Sequence, residues 1–139
     1  MSLNHFRALS VVFLGCLSAS VVQAATYSCA VRDTENSGWI AEPIYIQHDE
    51  STGEVVVIDP VIYYYNDKEG LLGKVSVDNE KRITFSWKLE GVSVRDQHAV
   101  AFSYRATVQK SDGRLTVYTK PLGYNNDFKG RGTCALTED

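Results

Sequence analysis

The chain has 139 residues, with 14 Lys and Arg against 17 Asp and Glu, so its formal net charge at pH 7 is −3. No block of Lys and Arg interrupts it, and nucleic acids and anionic membranes are bound through clustered cations that replace counterions. Composition therefore argues against both classes of partner.

The first 24 residues have the composition of a cleavable secretory signal. Arg7 precedes an apolar stretch over residues 8–17, and small residues follow. This stretch is shorter than the ~20 residues that a membrane-spanning helix needs. We predict a signal peptide over 1–24, no membrane span, and one periplasmic or secreted domain over 25–139. That domain retains 13 basic and 17 acidic residues and has a net charge of −4.

The domain keeps two cysteines, Cys29 near its start and Cys134 near its end. An even pair in an oxidising compartment predicts one disulfide between the first and last strands. Cys16 leaves with the signal, and lipidation at Cys16 is the less favoured alternative. No third cysteine or neighbouring histidine completes a ligand set, so we expect no metal.

Alternation of apolar and polar residues predicts strands along most of the domain. In the front half we expect strands over 27–31, 44–48 and the long apolar run 54–65. Because proline cannot donate to a strand ladder, Pro60 should lie at an edge, a bulge or a corner within that run. The polar connector 49–53 is expected to be a hairpin loop.

The back half predicts two hairpins, over 74–89 and 100–119, and a last strand over 128–136. Asp112-Gly113 marks the second turn, because glycine accepts a positive φ. About eight strands and no helix indicate an all-β fold, a small antiparallel β-barrel, with a β-sandwich as the alternative. The barrel is favoured because the cysteine pair would join the first and last strands and remove open edges.

The aromatic residues are the most distinctive candidates for a binding surface. In a strand, Tyr64 would lie on the face opposite to Tyr63 and Tyr65, which suits an aromatic-rich binding strand. Ordinary strand filling is the competing interpretation. Trp39 follows Asn36-Ser37-Gly38 and is either an exposed anchor or, as we favour, a plug that closes one barrel end. These four aromatic residues are the predicted ligand- or partner-binding residues.

No catalytic residues and no cofactor are predicted. The sequence contains no Gly-x-Ser-x-Gly, no His-Glu-x-x-His and no phosphate-binding glycine loop. His48 and His98 are expected to be an ordinary strand-end residue and a loop residue. A pair of carboxylates that meet in space is the catalytic arrangement that the sequence leaves open.

Tyr27-Ser28-Cys29 at the start and Gly132-Thr133-Cys134 at the end resemble the layout of the periplasmic c-type lysozyme inhibitors. That resemblance implies a small barrel that inserts a loop bearing Ser-Gly-x-x-Tyr into an enzyme cleft. Ser37-Gly38-Trp39-Ile40-Ala41 matches this loop in part and lacks the tyrosine, so no functional residue is carried over. Four further segments are similar to an uncharacterised family of small secreted bacterial proteins, which implies no activity: Gly38-Trp39-Ile40, His48-Asp49, Asp59-Pro60 and residues 78–84.

We therefore expect a monomeric, non-catalytic binding protein for a protein or a small molecule. The alternative is an inhibitor that acts through one polar, glycine-bearing loop, over 33–38 or 91–98. A carboxylate-based hydrolase comes third. An interior cavity lined by Tyr63 and Tyr65 would favour a small ligand, whereas a filled core with Tyr64 exposed would favour a protein-facing surface.

Overall fold

The computed structural model describes residues 24–93, 95 and 99–138. The predicted signal up to residue 23 with Cys16 lies outside them, as do residues 94 and 96–98 of the candidate loop 91–98, His98 among them. The elements follow in the order β1 (Ala24–Asp33), β2 (Ile44–Asp49), β3 (Val55–Ile58), α1 (Pro60–Tyr65), β4 (Leu71–Asp78), β5 (Arg82–Val92), β6 (Val100–Gln109), β7 (Arg114–Pro121) and β8 (Phe128–Glu138). Each strand pairs antiparallel with the next, and β8 pairs with β1. The predicted small barrel is confirmed, and the sandwich alternative is not adopted.

The middle of the barrel is filled by inward-facing side chains. Phe85 and Val117 are completely buried, and the rings of Tyr27 and Phe85 pack edge to face with centroids 5.1 Å apart. Trp87 and Tyr104 stack with their centroids 5.3 Å apart. Side chains from opposite and from neighbouring strands thus fill the interior, as is usual for a barrel of eight strands.

The β1–β8 ladder closes the barrel. Cys29 lies opposite Cys134 in this ladder, and the two form the predicted disulfide. Gly132 permits the close approach of the strands, because a Cβ at this position would lie 1.8 Å from the carbonyl oxygen of Ala30. A disulfide is typical of proteins that fold in an oxidising compartment. Within 24–93, 95 and 99–138, no helix has the length and apolar character needed to cross a membrane.

The segment between β3 and β4 departs from the prediction. Residues Pro60–Tyr65 form a helix, so the expected strand over 54–65 and the expected absence of helix are both wrong. The Asp59 carboxylate accepts the N–H of Ile62 at 2.7 Å and so caps the helix. Pro60 occupies the first turn, where its missing N–H and fixed φ are tolerated. The Asp-Pro pair starts a helix here and does not mark a strand corner.

The connections between strands are short at one end of the barrel and long at the other. The turn end holds the connections over 50–54, 79–81 and 110–113, together with the start of β1 and the finish of β8. The loop end holds the connections over 34–43, 59–70 and 122–127, and strand β5 ends and strand β6 begins there. All four predicted aromatic site residues belong to the loop end.

Candidate functional site

Helix α1 distributes three tyrosines around its axis. Tyr63 is 48 % exposed and Tyr64 is 78 % exposed, whereas Tyr65 is half-buried and packs against the barrel core. The rings of Tyr64 and Tyr65 contact each other edge to face with centroids 4.8 Å apart. The predicted alternation on two faces of a strand is wrong, because successive helical residues turn by about 100°. The aromatic-rich strand of the prediction is an aromatic-rich helix.

Trp39 lies beside the rings of Tyr65 and Phe102. Its centroid is 6.2 Å from that of Tyr65 and 4.4 Å from that of Phe102. The hydroxyl of Tyr104, on the core side, donates to the backbone carbonyl oxygen of Trp39 at 2.9 Å. Trp39 thereby covers the core at the loop end, and its half-buried ring joins the helix tyrosines to strand β6.

The segment that precedes Trp39 is ordered by one carboxylate. Asp33 accepts hydrogen bonds from the hydroxyl of Ser37 at 2.6 Å, the N–H of Gly38 at 2.9 Å and the N–H of Glu35 at 3.0 Å. Partial desolvation would raise the pKa of Asp33, but these hydrogen bonds outweigh it and the pKa lies below its usual value. The loop is therefore held in one conformation by local polar contacts.

An apolar pocket with a volume of about 160 Å³ opens beside Trp39. Its lining combines two connections of the loop end, 34–43 and 122–127, with strands β6, β7 and β8: Trp39, Val100, Phe102, Pro121, Tyr124, Asn126 and Phe128. An apolar cavity of about 150 Å³ accommodates benzene in another protein. The pocket is thus large enough for one aromatic or branched aliphatic side chain, with the Asn126 amide as a polar contact.

Most of this pocket was not predicted from the sequence. Trp39 was a candidate, but Val100 and Phe102 are strand residues of ordinary composition, and Pro121 ends a strand. Besides Trp39, Tyr124 offers a signal in the sequence, because it is a large aromatic residue next to the polar run Asn125-Asn126-Asp127. Its ring is exposed in the structure and forms part of the pocket wall.

Polar groups lie beneath the aromatic residues. Asp59 is buried, and desolvation raises its pKa to about 6 even though the N–H groups of Ile62 and Val61 favour the charged form. Burial, to which the charge of Asp59 adds, raises the pKa of Tyr104 well above its ordinary value. Among the described residues Asp59 is the one buried acid, so no pair of buried carboxylates is formed there.

The histidine of β2 belongs to a different part of the barrel. His48 is buried near the turn end, where its ring packs edge to face on Phe85 with centroids 5.9 Å apart. Within the described ranges, no group of three His, Cys, Asp or Glu side chains is placed to hold a metal ion. His48 is accordingly a core residue in this fold.

Comparisons of the chain with protein-family models, with curated proteins and with solved structures find no match. The resemblance to the periplasmic lysozyme inhibitors therefore stays a prediction.

Proposed function

We propose that this protein is a non-catalytic binding protein of the periplasm or the extracellular space, and that it engages a protein partner through its loop end. One observation carries the proposal: an apolar pocket of about 160 Å³ lies beside a group of partly exposed aromatic rings at this end. Trp39 belongs to both the pocket and the aromatic group, since its ring neighbours Tyr65, which in turn contacts Tyr64.

The size of the pocket favours a side chain of a partner over a free small molecule. Sites for small molecules usually enclose about 300 to 1,000 Å³ and bury most of the ligand. Protein interfaces instead concentrate their binding energy in a few anchor side chains that enter small pockets, surrounded by aromatic residues. The filled barrel core and the exposed ring of Tyr64 agree with this arrangement.

The distribution of exposed apolar side chains also favours the loop end. Of the seven large hydrophobic residues that are exposed in the described part of the chain, four belong to its connections: Tyr63, Tyr64, Leu122 and Tyr124. Aromatic side chains are enriched at interface cores because they bury a large area at a small cost in conformational entropy. The Cys29–Cys134 disulfide supports an oxidising compartment as the place of action.

The experiment is capture of a partner with matched surface variants. A Tyr64→Ser/Tyr124→Ser variant removes two exposed rings from the loop end, and a Tyr45→Ser/Leu72→Ser variant removes two exposed apolar side chains from the barrel wall. We expect a partner captured from periplasmic extract by the unmodified protein to bind the wall variant equally well. It should bind the loop-end variant about 30-fold more weakly or worse, which corresponds to the loss of a ~2 kcal/mol anchor. If only the wall variant fails to bind the partner, the proposal is refuted.

A second candidate is an inhibitor that inserts the segment 33–38 into an enzyme cleft. The hydrogen bonds from Ser37, Gly38 and Glu35 to Asp33 favour it, because a pre-ordered loop loses less conformational entropy on binding. If a c-type lysozyme is inhibited, Asp33→Ala should weaken the inhibition while the barrel stays folded. Absence of inhibition by the unmodified protein would remove that enzyme as the target.

A further inference from the structure

The outer wall of the barrel carries a charge pattern that the linear sequence conceals. Basic residues occupy outward positions on the strands, and their chain neighbours are less exposed; Arg105, for example, is exposed between buried Tyr104 and Ala106. Such alternation separates cations in the sequence and collects them on one face of a sheet. We call the following seven residues, on strands β1 and β4–β8, the basic belt: Arg32, Lys74, Lys88, Arg105, Lys120, Lys129 and Arg131.

The strand register arranges the belt in rows across the wall. In the first row Lys74 pairs with Ser86, Ser86 with Arg105, Arg105 with Tyr118, and Tyr118 with Lys129. Cations and hydroxyl groups therefore alternate along this row. Because neighbouring strands are about 4.8 Å apart, successive cations lie roughly 10 Å apart.

Two further rows run beside the first. Lys88 pairs with Ser103, and Ser103 with Lys120, so that a cation again alternates with a hydroxyl. On the other side Arg131 pairs with Arg32 across the β1–β8 ladder. The belt thus extends over six of the eight strands.

Two acidic residues of the described chain touch the rows: Asp127 accepts a hydrogen bond from the hydroxyl of Tyr118, and Glu90 contacts Lys88. Glu90 forms an ion pair with Lys88 at 2.6 Å, but both side chains are more than half exposed, so the pair contributes little. Lys129 lies over the ring of Tyr118 at 5.8 Å from its centroid. Neither Lys74 nor Arg105 forms an ion pair with an acidic side chain in the described part of the chain.

A groove of about 490 Å³ lies where the first two rows meet. Its lining includes Lys74, Lys88 and Arg105, together with Ser86 and Ser103. The hydroxyl oxygen of Ser86 is buried and has no hydrogen-bond partner among the described residues. A rotation of the Ser86 side chain toward the groove would let its hydroxyl donate a hydrogen bond to an acidic group there. That group would face three cations, of which Arg105 can bind an oxyanion in a bidentate way.

We propose that the basic belt binds a linear acidic polysaccharide and that the groove over Ser86 takes one of its acidic groups. A flexible chain can follow a belt that curves around six of eight strands, whereas a flat membrane can touch only part of it. The alternation of cations with hydroxyl groups matches a polymer in which acidic groups alternate with neutral hydroxyl groups. Single-stranded nucleic acid fits less well, because its bases need exposed aromatic rings for stacking and the belt offers only the half-buried Tyr118. This site lies on the wall and is independent of the partner proposed for the loop end.

The test measures binding of the purified protein to polygalacturonate and to heparin fragments at about 50 mM and about 200 mM salt. We expect binding that weakens as salt is raised. Lys74→Gln/Arg105→Gln should weaken it about tenfold or more and lower the slope of log K against log salt by about 2, one for each cation removed. Ser86→Ala should weaken binding severalfold without changing the slope, because it removes a neutral donor.

The matched control is Lys110→Gln/Arg114→Gln, which removes the same charge at the turn end, outside the belt. It should bind as the unmodified protein does, and near-ultraviolet circular dichroism should show that all variants are folded. If both double variants weaken binding equally, binding depends on the net charge of the protein and not on the belt, and the proposal is overturned. Absence of binding at about 50 mM salt would also overturn it, as would tighter binding to phosphatidylglycerol vesicles or to oligothymidylate than to either polysaccharide.

Discussion

The two ends of the barrel are made by the same eight strands, but their connections differ in how much they pack on the core. At the turn end, side chains satisfy the backbone within a few residues: Asn79 accepts the N–H groups of Lys81 and Arg82, and Asp112 accepts that of Arg114. At the loop end, Asp33 and Asp59 also accept local hydrogen bonds, and the connections are in addition packed on the core, as in the contact of Trp39 with Phe102. Local hydrogen bonds thus leave the turn end little to offer a partner, whereas the loop end presents apolar surface that the core has already positioned.

The largest expected effect concerns the covalent link that holds both ends together. The disulfide closes a loop of 105 residues, so the Cys29→Ala/Cys134→Ala variant should lose stability. We expect a loss of about 4 to 5 kcal/mol in the free energy of unfolding, measured by urea titration. Since the link lies in the ladder that closes the barrel, hydrogen exchange should accelerate at both ends. Acceleration at one end alone would show that the ends unfold independently.

Trp39→Ala tests whether packing orders the loop end. Removal of a half-buried indole from its contacts with Phe102 and Tyr65 should cost about 3 kcal/mol and lower the melting temperature. Differential scanning calorimetry measures the change. An unchanged melting curve combined with loss of partner binding would instead identify Trp39 as an exposed anchor.

Asp59 gives the loop end a specific dependence on pH. Its pKa is raised from 3.8 to about 6, so between these values the folded protein binds the proton more tightly than the unfolded chain. The contribution of this group to stability is therefore present at about pH 4 and is lost as the pH rises through 6. The loss amounts to about 2 to 3 kcal/mol.

Asp59→Asn should remove this dependence, because asparagine can cap the helix and does not titrate. The measurement is the free energy of unfolding of both proteins at about pH 4, 5, 6 and 7. The difference between them should change across this window and stay constant above it. Parallel profiles would mean that Asp59 ionises normally in the folded protein.

The smallest effect is expected at the turn end. Asn79→Ala removes two hydrogen bonds within an exposed turn, so we expect a loss of about 1 kcal/mol in urea unfolding and no change in binding of any partner or polysaccharide. If Asn79→Ala lowered the free energy of unfolding as much as Trp39→Ala does, the turn end and the loop end would not differ in the contribution of packing to their order.

The same distinction explains how much the sequence could predict. Alternation in β5 to β7 and the Asp112-Gly113 turn are local signals, and they predict the strands and the hairpins. The cysteine pair predicts the disulfide that closes the barrel. Helix α1 was missed because its six residues are too few to show a helical period, although Asp59-Pro60 is a good helix start.

The candidate sites depended more on contacts between distant residues. Trp39 meets Tyr65 and Phe102, which are 26 and 63 positions further along the chain, and no local pattern encodes such a meeting. The basic belt was hidden for a different reason. A search for consecutive Lys and Arg misses cations that only a strand register brings side by side, as it does for Arg131 and Arg32.

Strand β1 starts and strand β8 finishes at the turn end, where Ala25 lies opposite Glu138. A tag, a fusion partner or a solid support attached near either place would leave the loop end facing away from the attachment. The protein can thus be immobilised with the aromatic residues of its loop end directed away from the support. Because the start of β1 and the finish of β8 are adjacent, a short linker could join them. A circularly permuted chain could then begin in the turn over 79–81 and keep the loop end intact.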